Sequence, residues 1–525
     1  MSEEYDAIII GGGHNGLACG AYLAKAGLKV IVLERWKLLG GGCMTEEVTL
    51  PGFKHNTASN YHGWLHYGPV HKDLELAKYG SKYVFPAVAF GMAFSDDTGF
   101  VAYRHMDGII KELSRFSEND AKAFVALRDQ FARYKEVLKG FLFSPPQQPS
   151  VLSALLQESH EGRELLRFSL SSPKNLLNEL FESDKVKAWL LLTTVFAGIA
   201  HDIIGAGLFL PAMTVIEGGW GCSIGGAISL PLAMARVIEA NGGAVRTNSH
   251  VEKIIVDRGQ AKGVELSDGT RITARKLVAS NVEPGQTLLK MVGEEYLPDQ
   301  ALVQVKRWRA SEMALFTVHL ALKEAPQWKA SGFCPDLDRC WGVGFGYDGP
   351  ETFDSQFADI RRGIPPRDIA PFLVTNTLYD PSQAPEGKHT GVMWQFASYD
   401  LKDGGPAGWD KIKEDYADQC LEVLRRYAPN MTPDNILGRY VVSPLDIERR
   451  DISMIKGDLG SGETSQEQLG IFRPVHGWGP NRTPVRGLYL CGPSTHPGGN
   501  VSGACGYIAA NVIADDLKIK KWWLK

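Results

Sequence analysis

The first residues whose types and spacing can do chemistry are Gly11, Gly13 and Gly16 in GGGHNGLACG, followed by Glu34. Glycines spaced G-x-G-x-x-G give a turn that a phosphate can approach, and an acid about 20 residues further on can accept hydrogen bonds from a ribose. Gly11 permits the tight turn. Gly13 leaves to a pyrophosphate the space a Cβ would fill, and Gly16 lets a helix pack close to a strand. His14 and Asn15 lie inside the motif and Arg35 follows the acid, so all three join the candidate cofactor-binding set.

Such residues work only if strand, helix and strand position them. Residues 7–10 form a short apolar β-branched run and predict a buried strand. Residues 17–25 are Ala-rich and predict a helix that Gly27 ends, and residues 29–33 predict a second buried strand. The helix N-terminus then offers free N–H groups and a partial positive charge to phosphates. A bare glycine turn in an ordinary βαβ unit would not need the acid. The full order within about 30 residues favours dinucleotide binding.

Further candidates follow. Gly40, Gly41 and Gly42, in LLGGGCM, suggest backbone running close to a ligand. The stretch 51–67 is dense in His, Asn, Tyr and Trp, which suits the wall of a ring-binding site. It contributes His55, Asn56, Tyr61 and His62 as catalytic candidates by neighbourhood, and His496 joins them near the other end. Residues 487–491 predict a strand, 492–504 (GPSTHPGGNVSGA) a glycine loop, and 505–517 a closing helix. This mirrors the opening, so both ends are expected to build one nucleotide domain. Between them, helical periodicity runs over 107–140 and 152–196, with a break near Ser171–Pro173. Its apolar content suits a greasy substrate. A helix is predicted over 228–241, strands over 250–256, 312–322 and 391–399, and an amphipathic helix over 410–426. Gly219-x-Gly221 lacks a preceding strand in register and is not read as a second nucleotide loop.

Composition sets the frame. A chain of 525 residues is too long for one simple core. Its net charge of −4 gives no nucleic-acid footprint. The eight cysteines show no C-x-x-C and no metal-ligand spacing, the usage of a reduced compartment. Cys334 and Cys340 read as loop thiols. The start MSEEYD runs straight into a strand, so no signal or transit peptide is expected, and the localisation read is cytoplasmic. The apolar stretch 188–200 is short for a membrane span and reads as a buried helix. The tail KIKKWWLK mixes tryptophans with lysines, the chemistry of a peripheral membrane contact; the competing reading packs Trp522 and Trp523 on the domain.

Taken together, GGGHNGLACGAYLAKAG…VIVLE, GGWGCSIGGAISLPLAMARVIEANGGAVRTNSHVEKIIV, LVASNVEP, DPSQAPEGKH and GLYLCGPSTHPGGNVSGACGYIAA resemble the phytoene desaturase, carotenoid isomerase and retinol saturase group of FAD flavoproteins. The resemblance implies an α/β chain with a glutathione-reductase-like FAD-binding Rossmann domain and an inserted mixed-sheet and helical substrate domain. The expected division is 1–75, 212–290 and 470–525 for the discontinuous FAD domain, 76–211 for a helical insert, and 291–469 for a mixed α+β substrate domain. It implies FAD as cofactor. It further implies hydride transfer between flavin N5 and a carbon centre of a largely apolar or aromatic substrate, in desaturation, saturation or isomerisation. Oxygen or a quinone would serve as electron acceptor. Gly11, Gly13 and Gly16 would hold the pyrophosphate, Glu34 the adenosine ribose, and Gly40 and Gly41 would pass near the pyrophosphate and flavin. Val251 would contact the adenine and Gly492 the ribityl chain. Val501, Ser502 and Gly503 would begin the last helix, facing the flavin pyrimidine. Where the group often has an arginine or a similar polar residue, this chain has Gly42-Cys43-Met44. Two alternatives share the fold: a flavin amine oxidase, and a non-catalytic relative that binds lipid or prenylated protein.

Overall fold

A computed structural model describes residues 3–214 and 220–524. Strand β1 (Glu3–Ile10) forms from the β-branched run DAIII, helix α1 (His14–Lys25) from the Ala- and Leu-rich run after it, and strand β2 (Val30–Leu33) closes the unit. β1 pairs in parallel with β2 on one side and with the strand Arg271–Ser280 on the other. Arg271–Ser280 is long enough to serve two neighbours on its far side. Its first half pairs with Gln260–Leu266 and its last three residues with Leu488–Leu490. The last part of the chain thus joins the sheet that the first part begins. Val251–Asp257 and Ala244–Arg246 complete seven strands. The glycine turn leaves β1 at the carboxyl ends of parallel strands, where open α/β sheets bind ligands.

A second seven-stranded sheet runs Ile436–Val442, Ala314–Leu322, His389–Ala397, Phe372–Val374, Gly342–Phe345, Val88–Ala93, Gly99–Tyr103. Its last two strands correct an expectation. They fall inside 76–211, where a helical insert was predicted. VAFGMA is a buried apolar run too short for a stable helix, and the turn Asp96–Asp97–Thr98 folds it back on its partner. The rest of that segment is helical, though more divided than its periodicity suggested. Residues 107–140 give three helices, Met106–Ser114, Glu118–Ala132 and Lys135–Leu142. Ser117 makes the first break by capping the next helix, accepting from the Asp120 N–H at 3.0 Å. The stretch read as a buried helix lies mostly in Asp184–Phe196, eight of whose thirteen residues are buried.

Trp522 and Trp523 are turned into the nucleotide-side core. Trp522 stacks on Tyr22 at 5.6 Å between ring centroids, and the Trp523 indole donates to Asn511 Oδ1 at 3.0 Å. Among the described residues no helix is long and apolar enough to cross a membrane, and no His/Cys/Asp/Glu group could hold a metal ion. All eight cysteines, Cys334 and Cys340 included, are buried and free. Of the pair rejected as a phosphate loop, Gly219 lies outside the described residues, and Gly221 packs against Tyr83 and Phe85.

Candidate functional site

A large cavity runs from the glycine turn to the second sheet.

At one end the βαβ unit provides the floor. Gly11 has φ +93°, which makes the turn a glycine position. A Cβ on Gly16 would stand 2.4 Å from the Gly11 carbonyl oxygen, and one on Gly13 would stand 2.6 Å from Asn281 Nδ2. Helix α1 starts without a side-chain cap and without an acid in its first turn, so its free N–H groups face the cavity uncompensated. Asn15, 1% exposed and lining the cavity, leaves both its Oδ1 and its Nδ2 without a partner. Glu34 is fixed at the end of β2 by the Gly12 N–H on Oε2 (2.8 Å) and the Trp36 N–H on Oε1 (2.7 Å). Burial pushes its pKa up against the pull of these two bonds. These features fit the pyrophosphate and ribose of a dinucleotide. The helix N-terminus would take the anion, Asn15 would satisfy its orphaned amide, and Glu34 has lone pairs left for ribose hydroxyls.

Gly11, Gly13, His14, Asn15, Glu34, Arg35, Gly41, Gly42, Val251, Val501 and Ser502 line this cavity. Three other candidates act behind the wall. Gly16 serves helix–strand packing. Gly40 donates its N–H to the Gly12 carbonyl at 2.9 Å, tying the second glycine run to the first. Gly492 lies against the backbone of Asn281, where a Cβ would be 2.4 Å from its carbonyl oxygen. The last helix starts one residue ahead of the run 505–517 read from the sequence, so Val501, Ser502 and Gly503, which the resemblance puts at its beginning, precede it. It spans Ala504–Asp516 with Gly503 as N-cap, and Ser502 Oγ accepts from the Ala504 N–H at 3.1 Å.

Four of the five catalytic candidates do not line the cavity. His55 is fully buried, bonded to Thr49 Oγ1 at 2.8 Å and packed edge-on to His319. Asn56 Oδ1 takes the Thr45 hydroxyl and the Ala227 N–H. His62 pairs with the Tyr83 hydroxyl at 2.7 Å, and His496 with the Phe141 carbonyl at 2.8 Å. Burial lowers all three histidines, to about 4, about 3 and about 4, so they stay neutral at ordinary pH. Their polar density reflects internal hydrogen bonding between elements. Tyr61 alone reaches the cavity, and its hydroxyl donates to the Phe196 carbonyl at 3.2 Å.

The structure adds residues that sequence reasoning passed over. Asn281 ends the strand Arg271–Ser280 and touches both glycine loops. LVASNVEP carried a usable signal, a polar residue just after a buried strand. Arg450–Met454 and Leu459–Gly462 reach over the cavity from the second-sheet side. Asp458 takes the N–H groups of Ser311, Gly460 and Gly462 at 2.7–2.8 Å. Arg473, lowered to about 10 by burial, donates to the Ser461 carbonyl at 2.9 Å and the Pro493 carbonyl at 3.0 Å. This knot seats the loop 458–464 against the C-terminal glycine loop. No local motif announces it. At the far end the wall is aromatic and aliphatic, with Phe196, Phe209, Met313, Leu315, Trp394 and Phe396.

The comparisons with known proteins agree with this geometry. The family described as "Flavin containing amine oxidoreductase" matches residues 16–513. A limonene dehydrogenase subunit of Castellaniella defragrans is 30% identical, over 100% of this chain and 97% of its own length. A phytoene desaturase (neurosporene-forming) of Cereibacter sphaeroides is 24% identical, over 98% of this chain and 94% of its own. Among solved structures, cyclohexylamine oxidase of Brevibacterium oxydans superposes with a TM-score of 0.61 at 17% identity, covering 98% of this chain and 99% of its own, which speaks to the fold. The chain belongs to the flavin containing amine oxidoreductase family and is an FAD-dependent oxidoreductase.

Proposed function

We propose that this protein oxidises or reduces a carbon–carbon unit of a largely apolar substrate. The observation that carries the reading is the continuity of the dinucleotide groove with an end walled by Phe196, Leu315, Trp394 and Phe396. Bound FAD supplies a two-electron acceptor or donor there. The chain supplies the rest. The N-terminus of α1 and Asn15 bind the pyrophosphate, and Glu34 orients the adenosine ribose. The N-terminus of Ala504–Asp516 turns its partial positive charge toward the cavity, where Val501, Ser502 and Ala504 form the wall. The aromatic walls exclude water. Tyr61 positions and does not abstract a proton, because the Phe196 carbonyl holds its hydroxyl and burial raises its pKa.

The names of the two relatives, a limonene dehydrogenase subunit and a phytoene desaturase, support an unsaturated hydrocarbon skeleton. Anaerobic mixing of the flavin-loaded protein with a monoterpene hydrocarbon and with a carotenoid polyene tests the reading. Loss of the visible flavin absorbance is the expected result. No bleaching with either, together with peroxide release from simple amines in a separate assay in air, would move the assignment to amine oxidation.

A further inference from the structure

Three consecutive carbonyls in the substrate wall are each taken by a side chain from a different loop. The helix Asp184–Phe196 ends at the cavity, and residues 195–199 line it. The last carbonyls of a helix have no partner within it. The Tyr61 hydroxyl donates to the Phe196 carbonyl at 3.2 Å, Asn500 Nδ2 to the Ala197 carbonyl at 3.2 Å, and Thr464 Oγ1 to the Gly198 carbonyl at 3.1 Å. The Ala197 and Gly198 N–H groups close the final turn onto the Thr194 and Val195 carbonyls.

Of the three donors, Asn500 alone has a strained backbone. It is a residue with a Cβ at φ +99°, in the loop that leads into Ala504–Asp516. Such a conformation is costly and persists only where the surroundings hold it. Here the Asn500 carbonyl accepts from the Ser502 N–H at 3.1 Å and from His14 Nε2 at 3.2 Å. Burial lowers His14 to about 4, so its ring is neutral and carries one N–H. A carbonyl only accepts, which puts that proton on Nε2 and leaves Nδ1 facing the Cys43 thiol at 3.7 Å. The first residue of α1 is thereby linked through Asn500 to the substrate wall.

We infer that Asn500 is a positioning residue: its carboxamide holds the end of Asp184–Phe196, and Phe196 with it, against the substrate space, and its left-handed backbone aims that carboxamide. This rests on the apolar-substrate reading and deepens it, by naming what fixes the wall that the substrate meets.

Asn500→Gly suits the backbone angle and removes the donor, so it separates strain from positioning. In flavin-loaded protein without substrate, amide hydrogen exchange over 194–199 is expected to run about tenfold faster than in wild type, while the unfolding midpoint stays level or rises. Asn500→Asp keeps the shape but replaces the donor with an acceptor, and should speed exchange there too. Whichever of limonene and a carotenoid polyene bleaches the wild-type flavin anaerobically is then titrated. Its half-saturating concentration is expected to be about tenfold higher in both variants. A residue that only braced the fold would lower the midpoint in Asn500→Gly, and one that only touched substrate would leave exchange unchanged; either result overturns the inference. Faster exchange with an unaltered half-saturation overturns it as well. If neither compound bleaches wild type, the apolar-substrate reading falls separately: unchanged exchange still overturns the tie, and faster exchange at a level midpoint still upholds it.

Discussion

At the scale of single residues, the phosphate turn makes the sharpest demand. A Cβ on Gly13 would stand 2.6 Å from Asn281 Nδ2, and the further branches of a valine would enter the space that the uncapped helix N-terminus leaves for an anion. Gly13→Val is therefore expected to fold, since Gly13 has an ordinary φ of −70°, yet to purify colourless and stay colourless when FAD is added. Circular dichroism like that of wild type together with full flavin content would remove the phosphate assignment. Asn281 carries a related lesson. Its side chain stands against Gly11, Gly13 and Gly16, and its backbone against Gly492. One residue between two glycine loops explains why both loops must be glycine-rich, something neither loop states alone.

At the scale of elements, the tail is the informative case. KIKKWWLK has the composition of an interfacial anchor, but both rings are spent on α1 and on the helix Ala504–Asp516. Tyr22 is stacked by Trp522 and met edge-on by Trp523 at 5.1 Å, while Lys25 Nζ sits 4.0 Å from the Trp522 ring centroid. Trp523→Ala should then cost about 3 kcal/mol, as buried aromatic truncations do, with a lowered thermal midpoint and no change in co-sedimentation with anionic vesicles. An unaltered midpoint combined with lost vesicle binding would restore the anchor. The same contrast shows what sequence could reveal. β1, α1 and β2 are legible because the β-branched runs, the Ala-rich run and the stopping Gly27 each fix their own few residues. The strands Val88–Ala93 and Gly99–Tyr103 were not, because their reason for being strands is a distant partner: Gly342–Phe345 pairs in parallel with Val88–Ala93. His55 and His62 were read as wall residues because composition shows polar density but not which way it faces.

At the scale of the whole molecule, the cavity belongs to neither sheet alone. The first sheet brings the glycine turn and Glu34. From the other side come Arg450–Met454 and the loop 458–464, held by Asp458 and Arg473. Contacts already cross the gap. Arg450 pairs with Glu46, and Arg35 Nη2 donates to the Arg450 carbonyl at 2.5 Å. A dinucleotide lying between these walls binds only the assembled chain, so it must stabilise the assembly by mass action, by about 2.7 kcal/mol when free FAD exceeds its Kd a hundredfold. FAD added to stripped protein should accordingly raise the unfolding midpoint and slow proteolysis within 450–464, although that segment contains none of the sequence-predicted cofactor residues. Gly13→Val should show neither effect. If FAD protected only the region around α1 and left 450–464 as open to protease as before, the cofactor would be held by the first sheet alone, and the view of the substrate side as one half of its site would fail.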